Sequence, residues 1–179
     1  TDETAYPNSV FRMTHCYVHD GNGGNNLKSR AERNEIYYNW IEGATYHEIE
    51  LIGPDGQEPS LAREDSDVVG NVFVKANTFY VARFGGDGTG DTNGRYRFVN
   101  NTVLVKPNAS AVFRLFDGLE SLEAHNNVFA VAGGGAVDLA RSSDASWAGG
   151  AEAMWGTNNW VAAGSTSVPS TWSATRSGS

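Results

Sequence analysis

The sequence predicts an all-β protein whose strands form a right-handed parallel β-helix, a solenoid of stacked coils. Apolar stretches are repeatedly interrupted by an asparagine and then resume, at Asn39, Asn71, Asn101, Asn127 and Asn159. The spacings of 32, 30, 26 and 32 residues between these positions are typical of stacked supersecondary units. Glycine is abundant, with 21 residues, and proline is sparse, with 5. Glycine and asparagine recur between the apolar stretches, and no stretch has the periodicity of an amphipathic helix. This pattern favours many short strands.

The predicted strands are short and are separated by bends rich in glycine and asparagine. Residues 1–9 form a polar lead-in, and Cys16 occupies the place that later coils give to asparagine. Glycine-rich turns are predicted at 19–26 and 85–94, and a longer loop at 53–66. The strands are predicted at 10–18, 27–30, 34–41, 46–51, 68–74, 79–84, 96–105, 111–116, 121–131, 137–139 and 151–161.

The coils are predicted to occupy residues 1–162, and the Ser/Thr-rich segment 163–179 to lead out of the solenoid as a surface tail. Equivalent asparagines are expected to form a ladder of amide hydrogen bonds, because a bend leaves backbone groups that need partners. The apolar residues beside them are expected to stack inward: Trp40, Val72, Val103, Val128 and Trp160. An antiparallel sandwich fits the sequence less well, because it should contain several two-residue hairpin turns between alternating strands. Asn93-Gly94 is the one pair that we interpret as such a turn.

The composition of the chain limits which functions and which folds are consistent with the sequence. The chain of 179 residues is long enough for one domain with a core, and its net charge of −8 without a basic run argues against nucleic acid as a partner. The longest apolar runs are too short for a membrane span. The single cysteine, Cys16, excludes an internal disulfide, and we expect it to be a small buried residue.

Several segments resemble the bacterial right-handed parallel β-helix repeat proteins of the pectate-lyase superfamily. They are 18–51, SDVVGNVFV at 66–74, RYRFVNNTV at 95–103, LESLEAHNNVF at 119–129 and GTNNWVAAGSTSVPSTW at 156–172. The resemblance implies the same fold and a chain that is a segment of a longer solenoid. It also implies that further coils, chain segments or partner chains cover the open ends, because an open end would expose edge strands and core.

Charged residues before the glycine loops are predicted to form outward-facing columns. The candidates are Lys28, Arg30, Glu48, Glu50, Arg83, Arg114 and Asp138. Glu48 follows Lys28 by 20 residues and Glu50 follows Arg30 by 20, so salt bridges between neighbouring coils are expected for both pairs. One interpretation is a charge ladder that fixes the register of the coils. The other is a polysaccharide groove, in which Arg83, Arg114 and His47 bind substrate.

Two catalytic chemistries remain open for such a groove, with Lys28, Arg30, Glu48 and Glu50 as the candidate catalytic residues. Lys28-Ser29 resembles the Lys-Ser pair of the chondroitinase B and alginate lyase type, which implies a basic residue that takes a proton beside a uronate. The sequence departs from that pattern one coil later, where HEIEL at 47–51 places an acid instead of the arginine. Glu48 and Glu50 would alternatively form the carboxylate pair of a glycoside hydrolase.

Two glycine-rich loops carry oxygen ligands suited to calcium, which is the candidate cofactor. The candidate metal ligands are Asp20 and Asn22 in the first loop, and Asp87 and Asp91 in the second. Neither loop has the twelve-residue calcium motif, and glycine turns without metal are the alternative.

The hypothesis that follows is a secreted or cell-surface protein that binds, and as an enzyme would also process, an acidic or neutral extracellular polysaccharide. The alternative is a non-enzymatic structural or adhesive module in a larger extracellular assembly. A binding groove requires an open column in which some charged side chains are not paired with each other in salt bridges. A structural role requires close Lys28–Glu48 and Arg30–Glu50 pairs that hold neighbouring coils together.

Overall fold

The computed structural model of the protein describes residues 5–55, 63–76, 78–87, 92–107, 111–116, 118–142 and 153–178. These residues form nineteen strands in three sheets, and they contain no helix. Every strand pairing within the three sheets is parallel. The predicted fold class, an all-β parallel solenoid, is therefore confirmed. Parallel crossovers are right-handed in almost all proteins, and that sense stays our prediction.

The chain passes through the three sheets in turn, so each strand pairs with the strand one coil before and one coil after it. The first sheet contains β1 (Val10–Thr14), β4 (Arg33–Tyr37), β7 (Asp65–Val69), β10 (Gly94–Val99), β13 (Leu119–His125), β16 (Ala153–Thr157) and β18 (Trp172–Ser173). The second contains β2 (Tyr17–His19), β5 (Trp40–Glu42), β8 (Val72–Lys75), β11 (Thr102–Val105), β14 (Val128–Val131), β17 (Trp160–Ala162) and β19 (Arg176–Gly178). The third contains β3 (Leu27–Ser29), β6 (Ile49–Asp55), β9 (Ala82–Asp87), β12 (Phe113–Leu115) and β15 (Ala140–Ser142).

Each long predicted strand that spans an asparagine consists of two strands joined by a sharp bend. The residue before the asparagine has a positive φ, for example 57° at Tyr38, 56° at Asn100 and 55° at Asn126. This left-handed conformation turns the chain from the first sheet into the second. Gly70, with φ 70°, occupies the same place in the third coil, where glycine adopts the conformation without a steric cost.

The asparagine ladder is present at this bend and is buried. Asn39 Nδ2 donates to Asn71 Oδ1 and Asn71 Nδ2 to Asn101 Oδ1, both at 3.0 Å. The ladder continues from Asn101 to Asn127 at 3.3 Å and from Asn127 to Asn159 at 3.0 Å. Each amide oxygen also accepts the backbone N–H of the preceding asparagine in the ladder, and each amide nitrogen donates to a backbone carbonyl. The ladder thus satisfies the polar groups that every bend leaves unpaired.

Aromatic residues stack from coil to coil in the core. The ring centroids of Phe73 and Phe98 are 5.6 Å apart, those of Phe98 and Phe129 are 6.3 Å apart, and those of Phe129 and Trp172 are 5.8 Å apart. Phe113 packs edge-on against Phe98 at 5.1 Å. Fully buried rings of this size dominate the apolar area removed from water.

The inward positions of the second sheet begin two residues after each asparagine rather than one. Ile41, Phe73 and Phe129 are fully buried, whereas Trp40 and Val128 are 46% and 38% exposed. The inward prediction is confirmed for Val103, which is fully buried. It is wrong for the four residues that share one outward column of this sheet: Trp40, Val72, Val128 and Trp160. The asparagine side chain is itself buried at the bend. Strand alternation therefore points the side chain of the next residue outward.

The structure also corrects two expectations about the ends of the chain. The segment 163–179 was expected to leave the solenoid, but β18 pairs with β16 and β19 pairs with β17, so the coils continue past residue 162. Cys16 does occupy the ladder position, since its backbone N–H donates to Asn39 Oδ1 at 2.9 Å. Its side chain is exposed rather than buried.

Candidate functional site

One column of charged side chains runs along the outer face of the third sheet. Strand register aligns, in order, Lys28, Glu50, Arg83, Arg114 and Arg141. Their strand neighbours Leu27, Ile49 and Leu51 point into the core, so alternation turns the column outward. We call these five residues the basic column. It contains four cations and one carboxylate within the described part of the third sheet.

Glu50 is the centre of the polar contacts in the basic column. Its side chain is almost fully buried, and Lys28 Nζ lies 3.4 Å from its Oε2. The Arg83 guanidinium donates to Glu50 Oε1, and Asn25 Nδ2 donates to Oε2. Glu50 thereby ties three strands and the preceding turn together at the centre of the column.

Asn25 links Glu50 to His47 and fixes the tautomer of the imidazole. Because Asn25 Nδ2 faces the carboxylate, Asn25 Oδ1 faces His47 and accepts from its backbone N–H and from Nδ1, both at 3.0 Å. Nδ1 therefore carries the proton and Nε2 presents a lone pair. That Nε2 atom is buried and has no hydrogen-bond partner among the described residues.

Burial keeps the His47 ring neutral. The pKa of His47 is lowered to about 4, chiefly by desolvation; Glu50 opposes this shift, and the charges of Arg114, Arg83 and Lys75 contribute to it. The ring stacks on Tyr80 with centroids 6.0 Å apart. At neutral pH this side chain is therefore an uncharged hydrogen-bond acceptor held inside the protein, beside the cations of the column.

Aromatic rings hold the arginines of the column in place. The Arg83 guanidinium carbon lies 4.2 Å from the Phe116 ring centroid, and that of Arg114 lies 4.9 Å from Phe116 and 5.4 Å from Tyr80. Arg141 Nη1 donates to the Tyr80 hydroxyl at 3.0 Å. These contacts fix the guanidinium groups without neutralising them.

The cations of the column also crowd one another. Burial lowers the pKa of Arg114, and the positive charges of Arg83 and Arg141 lower it further. A bound anion would relieve that repulsion. The electrostatics of the column therefore favour a negatively charged ligand.

A second charged surface, on the outer face of the first sheet, is balanced by contrast. Its ion pairs join cations and carboxylates of neighbouring strands and loops: Arg12 with Glu35, Arg33 with Asp67, Arg97 with Asp67, Arg95 with Asp65, and Arg63 with Glu120. Each of these arginines contacts a carboxylate, so the first sheet has the charge ladder that the sequence suggested for the third.

The predicted salt bridges of the third sheet are wrong by two residues. Lys28 lies opposite Glu50, not Glu48, and the described contact of Arg30 is a hydrogen bond from Nε to the carbonyl of Gly53 at 3.2 Å. Glu48 precedes the strand and is fully buried inside the solenoid. Glu48 and Glu50 therefore do not share a face, as the carboxylate pair of a hydrolase would require.

The predicted metal ligands do not converge in the described residues. The Asp20 carboxylate lies 2.9 Å from His19 Nδ1, and Asn22 is on an exposed turn. The side chain of Asp87 and the whole of Asp91 lie outside the described residues. In the described part of the chain, no three His, Cys, Asp or Glu side chains gather as a metal site would need.

Sequence reasoning missed several residues of the site. Arg141 was missed because the last strand of the third sheet was predicted at 137–139, whereas β15 begins at Ala140. Alternation from the correct start would have turned Arg141 outward in line with Arg114. Asn25 and Tyr80 come from the turns before β3 and β9, and their spacing carries no signal of the contact.

No family model, no curated protein and no solved structure matches the chain. The described residues include no helix long and apolar enough to cross a membrane. The architecture itself defines the class of protein, a parallel β-solenoid with a buried asparagine ladder.

Proposed function

We propose that the protein binds an acidic polysaccharide along the basic column, with the sugar chain parallel to the solenoid axis. The observation that carries this proposal is the excess of cations over carboxylates among the described residues of the basic column, in a chain whose net charge is −8. Successive strands are about 4.8 Å apart, which is close to the length of one sugar residue in an extended polysaccharide. Carboxylate or sulfate groups on neighbouring sugars would then meet neighbouring cations.

Arginine is suited to this task. Its planar guanidinium recognises carboxylate and sulfate oxygens with paired hydrogen bonds, and it retains its charge when partly buried. Arg141 is exposed and Arg114 is half-buried, so both are accessible along one edge of the column. Tyr80 and Phe116 keep the two side chains from collapsing onto the surface.

Cleavage of the bound chain by β-elimination is the enzymatic extension of this proposal. A base takes the proton beside the uronate carboxylate, the electron pair forms a carbon–carbon double bond, and the glycosidic oxygen leaves and is protonated. Lys28 is the candidate base, because the His47 Nε2 atom is buried away from the surface. Arg83 and Arg114 would stabilise the carboxylate as charge develops on it. A hydrolase that pairs Glu48 with Glu50 is not proposed, because Glu48 lies in the interior.

The parallel solenoid and its asparagine ladder support the resemblance to pectate-lyase-like β-helix proteins, and we infer membership of that group. A secreted or cell-surface location follows from the proposed ligand, because acidic polysaccharides are largely extracellular. The inference about location depends on the glycan proposal and fails with it.

The contacts of Glu50 favour a second candidate, a structural or adhesive module. Glu50 bonds to Lys28, Arg83 and Asn25 and so staples neighbouring coils. In that case the column would stabilise the solenoid and would not discriminate between acidic and neutral glycans.

The test is affinity electrophoresis through gels containing polygalacturonate, alginate, chondroitin sulfate or neutral dextran. We expect the acidic polymers to retard the protein, dextran to leave it unaffected, and added salt to weaken the effect. The double variant Arg114→Gln, Arg141→Gln should bind about tenfold more weakly, a loss of roughly 1.4 kcal/mol. Arg95→Gln, Arg97→Gln on the first sheet is the matched control and should retain binding.

A lyase assay then separates binding from catalysis. The protein is incubated with each acidic polymer, with and without calcium, and the ultraviolet absorbance of unsaturated sugar ends is followed. Loss of product in Lys28→Ala with binding intact would assign Lys28 as the base. If the double arginine variant binds like the parent, or dextran binds as well as the acidic polymers, the glycan proposal fails and the structural module remains.

A further inference from the structure

The outer face of the second sheet is largely apolar and has no covering element among the described residues. Two columns of side chains form it, and we call them together the apolar face. The first column contains Tyr17, Trp40, Val72, Thr102, Val128, Trp160 and Arg176. The second contains His19, Glu42, Val74, Leu104, Ala130, Ala162 and Gly178. Exposed apolar surface of this kind marks an interaction site.

The first column has nearly the same order of side chains in both directions from its centre. Thr102 is the fourth of the seven residues. Val72 and Val128 lie one strand away from it on either side, and Trp40 and Trp160 lie two strands away. A rotation of 180° about an axis along β11 would place each of these residues opposite its counterpart in a second copy. A surface that matches itself in this way is what an isologous dimer requires.

The two-fold rotation would bring the projecting side chain of Trp40 next to a pocket on the second copy. Trp40 is 46% exposed. At the other end of the face, Ala130, Ala162, Gly178 and Trp160 line a pocket of about 250 Å³. The same rotation carries Trp40 of a second copy onto the strand that holds Trp160, beside this pocket. The pocket is large enough for an indole ring, and its small alanine and glycine residues leave the space open.

The charges at the two ends of the face are complementary under the same rotation. Glu42 lies near the first end and accepts a hydrogen bond from the Tyr17 hydroxyl at 2.5 Å. Arg176 lies at the other end and is exposed. The rotation brings Arg176 of one copy against Tyr17 and Glu42 of the other, at both ends of the pair. A dimer with parallel solenoid axes would instead place like ends together.

We propose that two copies of this chain associate through the apolar face, with antiparallel solenoid axes and with Trp40 of each copy in the pocket of the other. Seven strands give a face about 30 Å long, and the two columns make it roughly 10 Å wide. The two copies together would bury about 600 Å², which is less than the roughly 1,000 Å² of a stable interface, so we expect a weak association that requires a high protein concentration.

Sedimentation equilibrium and light scattering over a range of protein concentrations test this proposal. The parent protein should approach twice the monomer mass as concentration rises, and its tryptophan emission should shift to the blue. Trp40→Ala and the pocket-filling Ala130→Trp should each raise the dissociation constant at least tenfold. Trp155→Ala is the matched control, because Trp155 is 47% exposed on the first sheet, and it should associate like the parent.

A charge exchange tests the antiparallel arrangement separately. Glu42→Arg alone and Arg176→Glu alone should weaken association, and the double variant should restore it. A parent that stays monomeric at all concentrations, or a Trp40→Ala variant that associates normally, overturns the proposal. Growth into filaments, or a loss of glycan retention in Trp40→Ala without a change in mass, would assign the face to a different contact.

Discussion

Lys75 Nζ lies 3.2 Å from Glu48 Oε1, and both side chains are fully buried inside the solenoid. Lys75 also donates to the carbonyls of Ala44, at 2.9 Å, and Tyr46, while Glu48 accepts from Asn26 Nδ2 at 2.6 Å. Burial raises the pKa of Glu48 and lowers the pKa of Lys75. The pair anchors the turn that carries His47 to the basic column.

Removal of one member of this pair should be strongly destabilising. Lys75→Met leaves the Glu48 carboxylate buried without its cation, and we expect a loss of about 3–5 kcal/mol in the free energy of unfolding, measured with urea. The double variant Lys75→Met, Glu48→Gln should recover part of that loss. Lys28→Met, at a half-exposed cation, should cost no more than about 1 kcal/mol. Equal costs at Lys28 and Lys75 would contradict a special role for the buried pair.

The stability of the protein should fall in mild acid because of His47. Its folded pKa of about 4 lies below the ordinary value of 6.5, so the unfolded chain binds the proton more tightly. The contribution is complete above pH 6.5 and is lost progressively as the pH falls toward 4, for a total of about 3 kcal/mol. Urea unfolding of the parent and of His47→Gln between pH 4 and 7 measures this difference. Parallel pH profiles for the two proteins would count against it.

Removal of an asparagine from the middle of the ladder should lower the stability of the protein. Asn71→Ala removes the acceptor of the Asn39 amide and N–H and the donor to the Ile36 carbonyl. We expect a loss of about 2–4 kcal/mol. Thr102→Ala, one residue outside the ladder on the exposed face, is the control and should cost less than about 0.5 kcal/mol.

Cys16→Asn should stabilise the protein by adding a rung to the ladder. The backbone N–H of Cys16 already donates to Asn39 Oδ1, so an amide at position 16 would reach the same acceptor. The expected gain is about 0.5–1.5 kcal/mol in the free energy of unfolding. An unchanged or lower urea midpoint would show that the end of the ladder is too loosely held to benefit.

Glu50→Gln should change binding and stability in opposite directions. The substitution removes the one carboxylate of the described basic column, so the affinity for polygalacturonate should rise about fivefold, or roughly 1 kcal/mol. Stability should fall, because Arg83 and Lys28 lose their shared partner. Affinity electrophoresis and urea unfolding of the same variant give the two numbers. A loss of binding instead would mean that Glu50 contacts the ligand directly.

The sequence predicted the solenoid because its signals are local and repeated. Asparagines at Asn71, Asn101 and Asn127 and the apolar residues around them recur once per coil, and the same physical need for a hydrogen-bonded bend recurs with them. The same repeat predicted that Cys16 occupies the first position of the ladder, before any contact of this residue was known.

The site was predicted only in part. Lys28, Glu50, Arg83 and Arg114 were placed on one outward column, and the structure aligns them. Glu48 was turned the wrong way because the strand begins at Ile49 and alternation does not extend into the bend before it.

The sequence alone thus determined the type of coil, the bends and most of the cations that face outward. The tertiary structure decided which residues lie opposite each other. Register between residues that are 22 to 33 positions apart in the chain depends on the packing of whole coils. A shift of two residues keeps the alternation while changing every charge pair. For this reason the pairing of Glu50 with Lys28 and Arg83, and the burial of Glu48 with Lys75, emerged only from the folded chain.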